Sequence, residues 1–153
     1  MNRISAAPGI WRDGDDFIGA KLILTCGDDL LVCLRDDFDH IPYPAHWDLP
    51  GGGREQGESA LACALRELEE EFGLRLPADR LGPAVPFANL KGNGPPGIYF
   101  CGQLSSADIA AIRFGDEGQC WQMMPLAQFL THPRAVPHFP ARVAQCLGVS
   151  APT

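Results

Sequence analysis

The sequence predicts an α/β (α+β) domain with strands and helices mixed along one chain, and three observations carry that expectation. Residues 17–35 form two apolar runs broken at Gly27-Asp28-Asp29, the pattern of a β-hairpin. Residues 59–72 carry apolar side chains at helical spacing. Further short strand-like runs and three short helical stretches follow toward the C-terminus. A chain of 153 residues suits one domain spanning 1–153, with an ordered core from about 14 to 148 and short loose termini. The 46% hydrophobic and 20% charged content is that of an ordinary globular protein. A net charge of −7 argues against nucleic acid or an anionic membrane as the main partner.

The N-terminal stretch MNRISAAPGIWRDGDDF has no long apolar segment and carries acids early, unlike a signal peptide. No run of ~18 apolar residues exists to span a membrane, so the expected location is cytoplasmic. Six cysteines (26, 33, 63, 101, 120 and 146) form no C-x-x-C pair and have no histidine at zinc spacing. They read as reduced thiols, mostly small hydrophobes inside apolar runs. Phe17 to Cys26 and Leu30 to Arg35 are the hairpin strands. Arg35 closes the second strand, with Asp36, Asp37 and Asp39 at hand as ion-pair partners of little energetic consequence on a surface. Asp36 to Tyr43 is a polar, Pro-bearing loop of the kind that shapes a site. His46 to Pro50 is a short strand with Trp47 as a core residue, leading into glycines at 51, 52 and 53.

The helix that follows, Ser59 to Phe72, places Leu61, Leu65, Leu68 and Phe72 in one stripe. Glu67, Glu70 and Glu71 stand at i, i+3 and i+4 on the opposite face, beside the small residues Ala60, Cys63 and Ala64. Like charges at these spacings repel, and they crowd the end where the helix dipole is already negative. The nearest cation in sequence is Arg66. Two readings answer the pattern: a solvated acidic face, or oxygen ligands gathered around a divalent cation such as Mg²⁺.

After Gly73, a helix-terminating residue, prolines at 77, 83 and 86 cut the chain into short pieces. Gly92 to Pro96 is a turn, and Gly97 to Leu104 a strand. Ser106 to Ile112 is a helical turn capped by Ser106 or Asp108. Gln119 to Met124 is the last strand. Pro125 to Thr131 and Pro137 to Leu147 are helices, the second burying Val143 and Leu147.

Gly52, Glu58, Arg66-Glu67-Leu68, Glu70-Glu71 and Gly73-Leu74 fall at the spacing G-x5-E-x7-R-E-U-x-E-E-x-G-U, where U is aliphatic. This resembles the Nudix hydrolase signature at each of its fixed positions, and the triplet Glu117-Gly118-Gln119 resembles the MutT-like branch acting on nucleoside triphosphates. The resemblance implies a mixed β-sheet sandwiched between helices. It implies Mg²⁺- or Mn²⁺-dependent hydrolysis of a diphosphate linkage in a small nucleoside-diphosphate compound, by a monomer or homodimer.

The catalytic set so implied is Glu67, Glu70, Glu71, Glu117 and Arg66, with Asp116 as the alternative to Glu117. The implied metal ligands are Gly51 (through its carbonyl), Glu67, Glu70, Glu71 and Glu117, with the base left open between Glu67 and Glu117. Gly52, Glu58 and Gly73 are structural in the motif, and Glu58 with Arg66 holds the loop to the helix. Arg35 and Arg54 are the implied substrate contacts. Many relatives carry lysine where this chain has Gly53, which leaves a phosphate contact to Arg54 or Lys91. The expected substrate is a nucleoside triphosphate, oxidised purines included. Dinucleoside polyphosphates, nucleotide sugars, ADP-ribose and prenyl diphosphates are the alternative, although Pro86 and Tyr99 do not fall where the ADP-ribose and dinucleoside polyphosphate branches carry their marker residues. A non-catalytic binding module would have lost a motif glutamate, and none is missing.

Overall fold

A computed structural model describes residues 11–150. The expectation of loose termini and the reading of the first ten residues lie outside that range. Strands β1 (Gly19–Cys26) and β2 (Asp29–Leu34) form the hairpin, turning at Gly27 with φ 58°. Then come β3 (Trp47–Asp48), β4 (Gly51–Gly53), α1 (Ala60–Phe72), a 3₁₀ turn (Ala78–Arg80), β5 (Val85–Phe87) and β6 (Gly97–Gln103). Helix α2 (Ser106–Ala110), strand β7 (Cys120–Pro125), and helices α3 (Leu126–Leu130) and α4 (Phe139–Leu147) complete the order. The strands make one mixed sheet in the order β3-β2-β1-β6-β5, with β4 also pairing β1 and β7 pairing β2. β1 and β6 run parallel, and the other pairs run antiparallel.

Alternation along the strands sends side chains to both faces, and helices cover both. Leu22, Leu24 and Leu31 pack with Leu68 and Phe72 of α1 on one side. Ile23, Leu30 and Val32 pack with Phe129 of α3 and Phe139 and Val143 of α4 on the other, where Trp47 and Leu147 are partly buried. The sheet does not stay closed. β1 pairs with β2 at Thr25 and Cys26, but with β4 at Gly19, Ala20 and Lys21. The hairpin strands therefore part toward the start of β1, and a cleft opens between them.

The structure turns α1 relative to its predicted face. Ala60, Cys63 and Ala64, expected on the open side, are fully buried, while Leu61 and Leu65 are only partly so. Three small residues let the helix lie directly on the glycine backbone, and the Cys63 thiol donates to the carbonyls of Gly52 (3.6 Å) and Gly53 (3.5 Å). Hydrophobicity alone ranks leucine above alanine, but here depth of approach decides. Ser59 caps the helix through the Ala62 N–H at 3.1 Å, and Gly73 ends it at φ 66°. The second cap differs from expectation by one residue: Ser105 caps α2 in a reciprocal box with Asp108. Strands β4 and β5 were not expected, since glycines and Pro86 weaken strand propensity; β5 lies at the sheet edge, where proline is tolerated. All six cysteines are free.

Gly51 has φ 131°, and a Cβ there would meet the Ala20 carbonyl oxygen at 2.1 Å. Gly51→Ala should lower stability by roughly 3 kcal/mol or more through backbone strain and overpacking. Gly53→Ala, whose Cβ meets nothing within 4 Å, should leave a urea unfolding midpoint almost unchanged. Equal midpoints for the two variants would refute the close docking of β4 on β1.

Candidate active site

Where β1 and β2 part, a cleft of about 530 Å³ is lined by Lys21, Arg35, Asp48, Gly51 to Gly53, Glu67 and Glu71, with Glu117 at its rim. Helix α1 supplies the acidic wall. Gly52 sits so close that a Cβ there would meet Glu67 Oε2 at 2.5 Å. Glu71 accepts the Gly51 N–H at 2.9 Å through Oε1. Arg66 ties the loop before the helix to the helix itself. It bonds Glu58 through Nε, donates to Glu58 Oε1 (3.0 Å) and to the Gly53 carbonyl (3.1 Å), and its Nη1 reaches Glu67 and Glu70 at 3.2 Å each.

Two cations, Lys21 and Arg35, line the same cleft. Asp48, 8% exposed, accepts Lys21 Nζ at 3.1 Å and Arg35 Nη1 at 2.9 Å. Lys21 also donates to the carbonyls of Leu49 (3.1 Å) and Gly51 (3.2 Å). The loop from Asp36 to His46 adds Asp36, Phe38, His40 and Ile41 to the lining, with Phe38 stacked on His40 at 5.6 Å and 51% exposed. Tyr43 (φ 49°) and Ala45 (φ 54°) are non-glycine residues in the left-handed region, held by Arg134, which donates to the carbonyls of Ala45 and Pro44, and by Arg35, which donates to that of Pro42. The loop bearing Glu117 is fastened to the end of β2. The Gly118 N–H donates to Asp36 Oδ2 (3.1 Å), and the Gln119 side chain donates to the Arg35 carbonyl (2.9 Å).

Burial raises the Glu71 carboxyl from an ordinary 4.5 to about 7, with Glu67 and Asp48 adding to it and the Gly51 N–H and Lys21 opposing. Glu67 is raised by burial, against the attraction of Arg66. Burial alone would lower Lys21, but Asp48 and Glu71 outweigh it and the net shift is upward. The Arg66 hydrogen bond lowers Glu58, and Arg66 is raised in turn. Among the described residues no three acidic, histidine or cysteine side chains are already gathered tightly enough to hold a metal ion. The guanidinium of Arg66 lies between Glu67 and Glu70, and Glu71 is turned to the Gly51 N–H.

Of the residues singled out from sequence, Glu67, Glu71, Glu117, Gly51, Gly52 and Arg35 line one cleft. Glu70 is 56% exposed beside Arg66. Arg35 pairs with Asp48 rather than with Asp36, Asp37 or Asp39, because β3 lies beside β2 and brings Asp48 across. Arg54 is not brought to the cleft with them: it pairs with Asp16, donates to the Glu58 carbonyl and lies 4.5 Å over the Phe17 ring, outside the residues lining the cleft. Lys91 stands in an exposed turn. The cation missed from sequence is Lys21, and the signal was there: it is the one charge in the apolar run from Phe17 to Cys26. Beyond the Gly52–Gly53 backbone lies a second hollow of about 300 Å³, whose lining includes Tyr99, His138, Phe139, Arg142 and again Lys21.

Residues 18–143 match the family model described as NUDIX domain, and the chain belongs to that family. It is 37% identical over 73 residues to Nudix hydrolase 3 of Arabidopsis thaliana, a match covering 46% of this chain but 9% of that protein's length. A MutT protein from Methanosarcina mazei Go1 shares the fold with a TM-score of 0.66 at 20% identity, over 86% of this chain and 93% of that one. A bifunctional NMN adenylyltransferase/ADP ribose pyrophosphatase from Francisella tularensis, complexed with AMP and a Mn ion, does so with a TM-score of 0.67 at 18% identity, over 88% of this chain and 42% of that one. Among the described residues no helix is long and apolar enough to cross a membrane.

Between pH 4.5 and about 7 the folded protein keeps on Glu71 a proton that the unfolded chain releases. Metal-free stability should therefore fall as pH rises through that window, with the full cost present above it. In EDTA at pH 8, Glu71→Gln keeps the acceptor for the Gly51 N–H and should melt higher than wild type, by on the order of 1–3 kcal/mol. Below pH ~4.5 the difference should vanish. Saturating Mg²⁺ at pH 8 should reverse the order, because wild type gains about RT ln(1 + [L]/Kd) and the variant less. Melting curves indifferent to both pH and Mg²⁺ would favour a solvated acidic face.

Proposed function

We propose that this chain is a divalent-metal-dependent hydrolase of a diphosphate linkage, converting a nucleoside triphosphate and water to the monophosphate and pyrophosphate. The observation that carries the reading is the pair Glu67 and Glu71, two half-buried carboxylates on one helix face looking into a cleft that also bears Arg35 and Glu117. Their burial disfavours ionisation in the absence of a cation, so a bound cation would relieve a standing cost. The donor set is hard oxygen throughout, which suits Mg²⁺ or Mn²⁺. Glu67, Glu71 and Glu70 would hold it, with Glu117 facing them from the rim. Such an ion neutralises phosphate oxygens and acidifies water when bound.

The remaining work belongs to the protein's own groups. Arg35, held by Asp48, presents the rest of its guanidinium to a phosphate oxygen. Glu117, on a loop fastened to β2, would serve as a further ligand or as the base that takes a proton from the attacking water, and Glu67 is the other candidate base. The second hollow, with Tyr99, His138 and Phe139 in its wall, suits a planar heterocycle joined to phosphates that cross the Gly52–Gly53 backbone. This supports a nucleoside at one end of the substrate. A second reading keeps the chemistry and changes the leaving group. The exposed Phe38–His40 stack in the lining of the cleft suits an organic group beyond the diphosphate, as in a dinucleoside polyphosphate, a nucleotide sugar, ADP-ribose or a prenyl diphosphate.

A panel of nucleoside triphosphates and diphosphate compounds with Mg²⁺, scored for pyrophosphate and phosphate, tests the reading. Monophosphate plus pyrophosphate is the expected pair of products. Nucleoside diphosphate plus phosphate would exclude this bond cleavage, and turnover of two-headed substrates alone would promote the second reading. Glu117→Gln should lower kcat by roughly tenfold or more, as loss of a base or ligand does, with an unchanged melting curve. Asp116→Asn should matter less; the reverse order would move the role one residue back.

A further inference from the structure

The family resemblance implies that the Gly51 carbonyl helps to bind metal, yet in this chain that oxygen is already engaged. Lys21 has three N–H donors, and all three are used within one short stretch: Asp48 Oδ1 at 3.1 Å, the Leu49 carbonyl at 3.1 Å and the Gly51 carbonyl at 3.2 Å. The Phe139 ring lies 5.6 Å from the same ammonium. Gly51 is held at its other end as well, since its N–H donates to Glu71 at 2.9 Å. A divalent ion on the same carbonyl oxygen would stand within a few ångström of Nζ, where a half-buried setting screens repulsion poorly. Freeing the carbonyl would instead leave an ammonium donor without an acceptor.

The charges agree with the geometry. Lys21 and Arg35 share the single carboxylate of Asp48, and the Lys21 ammonium, attracted by Glu71 as well, brings positive charge to the Gly51 carbonyl. That is the sign of charge a metal at Gly51 would bring.

We infer that Lys21 is a built-in cation of this site: it holds the Gly51 carbonyl, keeps a divalent ion off that oxygen and leaves metal binding to the carboxylates of α1 and Glu117. The inference rests on the divalent-metal reading above. Lys21 acts here as a positioning residue, because no N–H remains to reach substrate.

The test is an NMR titration of the wild-type protein, labelled with ¹³C at the glycine carbonyls and glutamate carboxyls, with Mg²⁺ alone. The Glu67 and Glu71 carboxyl signals should move, and the Gly51 carbonyl should not. Lys21→Met removes the ammonium and keeps the stem; its Gly51 carbonyl should join the moving set, and Mn²⁺ counted by electron paramagnetic resonance should rise by one ion per chain. Lys21→Arg, which keeps a charge there, should bind the same number of Mn²⁺ ions as wild type. Movement of Gly51 with the carboxylates in wild type overturns the inference and leaves the metal reading standing, as does an unchanged Mn²⁺ count in a folded Lys21→Met. If no carboxyl signal moves, the metal reading fails and the inference fails with it. Should Lys21→Met not fold, the wild-type titration decides alone.

Discussion

The contact on which the rest depends is that of a glycine strand against the small face of a helix. Ala60, Cys63 and Ala64 remove side-chain bulk from α1, and Gly52 removes it from β4, so backbone meets helix with nothing between, while Gly51 lets the same strand lie close on β1. That depth carries Glu67 and Glu71 out of water and into the wall of the cleft. A helix held further off by larger residues would leave the same carboxylates solvated, with ordinary acidity and little reason to attract an ion. The same closeness gives Arg66 reach to the Gly53 carbonyl and to Glu58, so that the loop, the strand and the helix lock together. Packing and electrostatics are here one arrangement.

The second determinant is the parting of β1 from β2. A hairpin paired along its whole length would have filled the cleft with its own ladder. Instead β4 takes the partners of β1 at Gly19 to Lys21, and β2 turns to β3 and β7. Asp48 then bridges the gap electrostatically, drawing Lys21 from one strand and Arg35 from the end of the other. Asp36 completes the rim by receiving the Gly118 N–H, which brings the Glu117 loop to the same end of β2. Each wall of the cleft thus comes from a different part of the chain, fixed by few contacts.

What was legible from sequence is what local spacing encodes. The hairpin turn at Gly27, the left-handed end of α1 at Gly73 and the fixed intervals from Gly52 to Leu74 each depend on residues close in the chain. The turned face of α1 was not legible, because hydrophobicity ranks Leu61 above Ala60, whereas the glycine strand rewards small size. The Lys21–Asp48 pair spans 27 residues and the Arg35–Asp48 pair 13, joined only when β3 comes alongside β2. The contacts of Arg54 were not legible for the same reason. The resemblance offered it in place of the lysine that relatives carry at position 53, but the chain turns it onto Asp16 and Phe17.

The loop from Asp36 to His46 carries Tyr43 and Ala45 in a conformation that side chains resist, at a cost of about 1 kcal/mol or more each. Glycine at position 45 would relieve that cost and, in the same stroke, free the chain to sample other shapes. Relief of strain in the fold and greater freedom of the unfolded chain are therefore set against each other at one residue.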